Sequence, residues 1–100
     1  MSAPVGERAT RVERIRAALE ATFAPVSLEV IDDSARHAGH AGARDGRGHF
    51  NVEVVSNAFG GLGSLARHRA VYAALDEMMA SDIHALSIRA QTPEEAADVQ

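Results

Sequence analysis

The succession of hydrophobic periods in this chain predicts an α/β (α+β) fold, a three-stranded mixed sheet with helices packed on one face. Three observations predict it. A stripe at helical spacing opens the chain, three short stretches alternate apolar and polar residues, and a second helical stripe separates the last two of those stretches. Strands joined by a helical crossover pair in parallel, and the first two strands are expected to pair antiparallel.

The first helix follows from Val12, Ile15, Leu19 and Phe23, set between Arg11, Glu13, Arg14, Arg16 and Glu20. Pro25 is expected to stop it. Ser27 to Asp33 alternates Leu28 and Val30 with Glu29 and reads as a half-buried strand; His49 to Val55 repeats the pattern with Phe50, Val52 and Val54. Between them the stretch from Ser34 to Gly48 carries Gly39, Gly42, Gly46 and Gly48, too rich in glycine for a helix and too long for a tight hairpin.

Phe59, Gly60, Gly61, Leu62 and Gly63 form a turn, after which Ser64 is the expected N-cap of the second helix. Leu65, His68, Tyr72, Leu75 and Met79 share one face of that helix, with Val71 and Met78 widening the stripe, which puts His68 on the expected buried side. The third strand runs from His84 to Ala90, and Pro93 opens a short acidic helix or tail. The expected organisation is a flexible N-terminus over residues 1–10, one folded domain over 11–91 and the acidic segment over 92–100.

Composition narrows the function classes. With 100 residues, 46% apolar and 24% charged, the chain has the make-up of one ordinary globular domain. No apolar run is long enough to span a bilayer and Met1 to Arg8 lacks the apolar core of a signal peptide, so the expected location is the cytoplasm. A net charge of −4 disfavours a broad grip on nucleic acid and leaves only local basic patches. There is no cysteine, hence no disulfide and no thiolate metal site made by this chain alone.

Several motifs compete for the remaining chemistry. Gly61, Gly63 and Ala66 match a dinucleotide fingerprint with Asp82 about 20 residues on, but that acid should end a strand and Asp82 precedes one. Gly60 and Gly63 also spell the G-x-x-G loop that clamps backbone nucleotides in KH domains. Arg67, His68 and Arg69 form a cationic cluster suited to phosphate or an acidic partner. His37 and His40 in the long loop and His84 at the head of the last strand bring three imidazoles within reach of one site if the loop folds over that edge. Ser34 and Asp33 beside His37 do not amount to a catalytic triad, because closeness in sequence is not the arrangement a triad needs. The chain is expected not to be an enzyme.

The run Phe59, Gly60, Gly61 followed by Arg67, His68, Arg69, Ala70, Val71 and Tyr72 resembles the F-x-G…R-H-R-x-V-Y signature of BolA-family proteins. Leu28 to Ser34 and His84 to Ile88 fit its flanking blocks, so the likeness covers about Val12 to Glu95. The resemblance implies a BolA-like, class II KH-like αββαβ order with an added terminal helix. It further implies that His84 and a histidine of the long loop, His37 in the first place and His40 as its substitute, hold a [2Fe-2S] cluster shared with a monothiol glutaredoxin. The lack of cysteine agrees, since two imidazoles make half of a mixed site whose thiolates come from glutaredoxin and its glutathione. The isolated chain is then expected to bind no cluster. The same resemblance implies an alternative, a DNA-binding transcriptional regulator of stress response and morphology that uses Gly60, Gly61, Gly63, Arg67, His68 and Arg69.

Overall fold

A computed structural model describes residues 10–34 and 47–98 of the chain. Helix α1 spans Arg11–Phe23 and starts in a reciprocal cap: Thr10 Oγ1 accepts the Glu13 N–H at 3.1 Å, and Glu13 Oε1 accepts the Thr10 N–H at 3.0 Å. Ile15, Leu19 and Phe23 are buried, as their spacing predicts. The helix ends one residue before Pro25, at Ala24, whose φ of 44° lies in the left-handed region and whose N–H donates to the Glu20 carbonyl at 3.0 Å.

Strands β1 (Ser27–Asp32) and β2 (Gly48–Val55) pair antiparallel from Ser27↔Val55 to Asp32↔Phe50. Strand β3 (Ile83–Gln91) pairs parallel with β2, which is therefore central in the order β1-β2-β3. Gly48, Phe50, Val52 and Val54 alternate inward along β2 and are buried. They meet Ile15, Leu19, Phe23, Phe59, Val71, Leu75 and Ile83 in one core, on the face of the sheet that the helices cover. The opposite face is open.

Ser56 joins these layers. Its hydroxyl donates to the Phe23 carbonyl at 2.6 Å and accepts the Ala58 N–H at 3.0 Å, while its own N–H donates to Gln91 O at 2.9 Å. A single 3₁₀ turn, Asn57–Phe59, follows. Gly60 (φ −59°, ψ 134°) and Gly61 (φ 79°) then make a type II turn closed by Leu62 N–H to Phe59 O at 3.1 Å.

Three expectations for the second helix are corrected, the last in part. Gly63, not Ser64, is the N-cap, and no side chain caps this end. The helix is also not continuous: α2 (Ser64–Ala74) and α3 (Asp76–Ser81) meet at Leu75 (φ −107°, ψ 20°), whose N–H is shared between the Val71 and Tyr72 carbonyls, both at 3.2 Å. The buried face differs too. Leu65 is 63% exposed, Tyr72 41% and His68 half-buried, while Val71 and Leu75 of the expected stripe do enter the core. Ala70, Ala74, Met78 and Met79 pack partly buried against that core, and of these a hydropathy pattern passes over the two alanines because alanine reads as neutral.

Asp82 ties the start of β3 to α1. It pairs with Arg14 and with Arg11 (3.3 Å from Nε) and is mostly covered, an engagement that leaves no room for the ribose-binding role of the dinucleotide fingerprint. Hydrogen bonds from the Ser81 hydroxyl and then from Arg14 and Arg11 outweigh desolvation and lower its pKa. After β3, α4 (Pro93–Ala97) opens with a second capping box between Thr92 and Glu95. Among the described residues no helix is long and apolar enough to cross a membrane.

Candidate functional site

On the open face of the sheet two histidines, His49 and His84, come together. Since β2 and β3 run parallel, their first residues, Gly48 and Ile83, are neighbours, and the second residue of each strand is a histidine. Inward alternation of Phe50, Val52 and Val54 sends His49 outward. By the same parity His84 would point inward with Leu86 and Ile88. It does not, because the register shifts: Gly48 pairs with Ile83 and His49 with Ala85, leaving His84 as an inserted residue in β3.

The consequence is visible in burial. Ile83 is buried while His84 and Ala85 are both exposed, so the bulge turns Ile83 into the core and His84 onto the open face. The two rings stand with centroids 5.3 Å apart and planes at 44°. A sheet alone would not give this pair; the irregularity does.

His49 is held from the backbone side. Its N–H donates to Ser34 Oγ at 3.0 Å, its carbonyl accepts the Asp33 N–H at 2.8 Å, and Ser34 N–H donates to Asp32 Oδ1 at 2.9 Å. These bonds pin the end of β1 against the start of β2. They also demand glycine at position 48, where an added Cβ would lie 2.6 Å from Ser34 Oγ and 2.8 Å from Phe50 Cε2. Beside the pair is a hollow of ≈ 270 Å³ lined by Asp33, His49, Asn51, Ala85 and Ser87 over Phe50.

Two imidazoles this close could serve one metal ion, each through one ring nitrogen. Nitrogens about 2 Å from a tetrahedral metal put ring centres roughly 5 Å apart, and the observed 5.3 Å agrees. Among the described residues no group of three or more histidine, cysteine, aspartate and glutamate side chains gathers as a full metal cage. With no cysteine in the chain, two imidazoles could supply at most half of the four donors that a [2Fe-2S] cluster takes.

Of the residues the sequence singles out, His84 lies in this pair, whereas His37 and His40 lie outside the described residues. His49 is the one that reading passes over: its outward place before the alternating Phe50, Val52 and Val54 is written in the sequence, but the inserted residue that turns His84 toward it is not.

The glycine turn and the cationic cluster form a separate region. Arg67 Nε donates to Leu62 O at 2.8 Å, Nη1 to Ala90 O at 3.0 Å and to Glu95 Oε1 at 2.6 Å, and Nη2 to Glu95 Oε2 at 3.0 Å. Its guanidinium carbon is 6.0 Å from the Phe59 ring centroid. The Arg67 hydrogen bond, followed by that from the Thr92 backbone, pulls the Glu95 carboxyl down to about 2. The three residues of the cluster thus have different surroundings, with Arg67 engaged by the fold, His68 half-buried and Arg69 exposed.

A three-stranded mixed sheet with helices on one face and a glycine turn ahead of the second long helix define a class of small α+β, KH-like domains. The chain belongs to the BolA family, whose model, described as BolA-like protein, matches residues 19–95. It is 43% identical over 83 residues to the DNA-binding transcriptional regulator BolA of Escherichia coli, covering 83% of this chain and 76% of that protein. It is 44% identical over 89 residues to Protein BOLA1, chloroplastic, of Arabidopsis thaliana, covering 86% of this chain and 56% of the relative. Among solved structures, the BolA domain of SufE1 from Arabidopsis thaliana superposes with a TM-score of 0.77 at 46% identity, over 87% of this chain and 96% of that one. The first curated relatives are longer proteins, of which the chain spans 24% to 56%.

Proposed function

We propose that this protein is a non-enzymatic adaptor that shares a [2Fe-2S] cluster with a monothiol glutaredoxin, in cluster assembly, trafficking or iron homeostasis. The observation that supports it is the His49–His84 pair at 5.3 Å on an open face, in a chain without cysteine. His84 is the ligand whose direction the bulge sets, and His49 is the second imidazole beside it. His37 and His40 compete with His49 for the second position. The partner and its glutathione supply the thiolates, and the cluster is cargo held between the two proteins.

Imidazole ligation raises the potential of such a cluster relative to all-thiolate ligation. A ligating imidazole must be deprotonated, so acid is expected to release the cluster. The expected place of action is the cytoplasm, which fractionation checks against the organellar names of some relatives.

Adding this protein to a cluster-loaded monothiol glutaredoxin should change the visible absorption and circular dichroism. His84→Ala should abolish the change, and His49→Ala, His37→Ala and His40→Ala taken singly show which imidazole is second. Unchanged spectra on mixing would sink the proposal.

A second reading is favoured by the name of the Escherichia coli relative, a DNA-binding transcriptional regulator. It places DNA on the glycine turn and on His68 and Arg69, with Arg67 held by Glu95.

A further inference from the structure

Sequence alone counts Arg67 as the first cation of a basic cluster. In the fold it is the most heavily used side chain of that cluster, with 13% of its side chain exposed and all four of its hydrogen bonds on three elements: the glycine turn, the end of β3 and α4. Leu62 and Ala90 offer neutral carbonyls. The charge is answered by Glu95, through two bonds of 2.6 and 3.0 Å in the planar fork that a guanidinium makes equally with a carboxylate or with a phosphate.

The element that carries Glu95 is weakly docked. None of the five residues of α4 is buried, and it is held by the Thr92 capping box and the Arg67 pair. The Glu95 side chain is 46% exposed, so its ion pair is screened by water and exchangeable. Next to the pair lies a hollow of ≈ 340 Å³ lined by Leu62, Gly63, Ser64, Arg67, His68 and Glu95. A Cβ added at Gly61 or Gly63 would meet nothing within 4 Å, which leaves the backbone on that side of the turn open to close approach.

We infer that α4 is an autoinhibitory strap: Glu95 occupies the Arg67 guanidinium in place of a backbone phosphate and withholds it from phosphodiester ligands until α4 lifts. The strap rests on the DNA-binding reading of this face and is independent of the histidine pair.

Glu95→Gln is the discriminating variant, because the amide oxygen can still accept the Thr92 N–H of the capping box while the carboxylate charge is gone. Binding of a short fluorescein-labelled DNA duplex is measured against salt for the full chain, for Glu95→Gln and for Glu94→Gln, the exposed neighbouring acid, with far-ultraviolet circular dichroism confirming the fold. Glu95→Gln should bind at least about threefold tighter at low salt with a salt slope steeper by about one, the signature of one added phosphate contact. Adding Arg67→Gln to it should return both to the starting values. Glu94→Gln should leave the slope unchanged. Equal affinity and slope for the full chain and Glu95→Gln would overturn the strap while leaving DNA binding in place, a matching effect of Glu94→Gln would reduce it to net charge, and no binding by any variant would overturn both.

Discussion

Ala24 shows how one residue can hold a conformation that its side chain opposes. At φ 44° it closes α1, and its N–H bond to Glu20 satisfies one of the last carbonyls of the helix. A non-glycine residue in this region costs about 1–2 kcal/mol, and glycine would recover that while losing roughly 0.5–1 kcal/mol to the freer unfolded chain. The balance favours glycine. Ala24→Gly should stabilise the protein by about 0.5–1 kcal/mol, seen as a rise in Tm of a few degrees; a fall in Tm would contradict the capping geometry. The position is hard to read in the sequence because Pro25 accounts for the stop and hides the residue that performs it.

At the scale of elements, the start of β2 decides the candidate site. Gly48 pairs with Ile83, donates its N–H to Asp82 O at 2.9 Å, and leaves room for Ser34 Oγ, which accepts the His49 N–H. Gly48→Ala must push aside either that hydroxyl or the Phe50 ring, an overpacking expected to cost about 1–3 kcal/mol. Urea unfolding checks the loss. The same variant should disturb the spectrum formed with glutaredoxin, since displacing Ser34 moves the backbone of His49. Most of the elements were legible, their ends within a residue or two, because each carries its own period. The bulge was not. Alternation along β3 counts residues as if none were inserted, and only pairing with β2 reveals that Ile83 and His84 have exchanged faces.

Over the whole molecule, two carboxylates bind distant segments together, Asp82 joining β3 to α1 and Glu95 joining α4 to α2. Both have pKa values below their ordinary ones, Glu95 at about 2 and Asp82 lowered in direction. A depressed carboxyl stabilises the folded state fully above its unfolded pKa and loses that contribution as pH falls through the folded value. Stability should therefore decline from about pH 4.5 downward, toward about 2 for the Glu95 part. Urea titrations at about pH 6 and about pH 3 should show the loss, and Glu95→Gln should reduce it. A Glu95→Gln acid limb identical to that of the unaltered chain would count against the pair.

The residues by themselves determined the order of helices and strands, the mixed sheet and His84 as a candidate ligand, because periods, turns and short blocks are local properties written along one chain. The tertiary structure alone decided which imidazole stands beside His84, and that Arg67 answers to Ala90 and Glu95. Those are relations between segments 23 to 35 residues apart in the chain, His49 with His84, Arg67 with Ala90 and with Glu95. Register, a bulge and the docking of a terminal helix set them, and no local pattern encodes an insertion that exists only relative to a neighbouring strand.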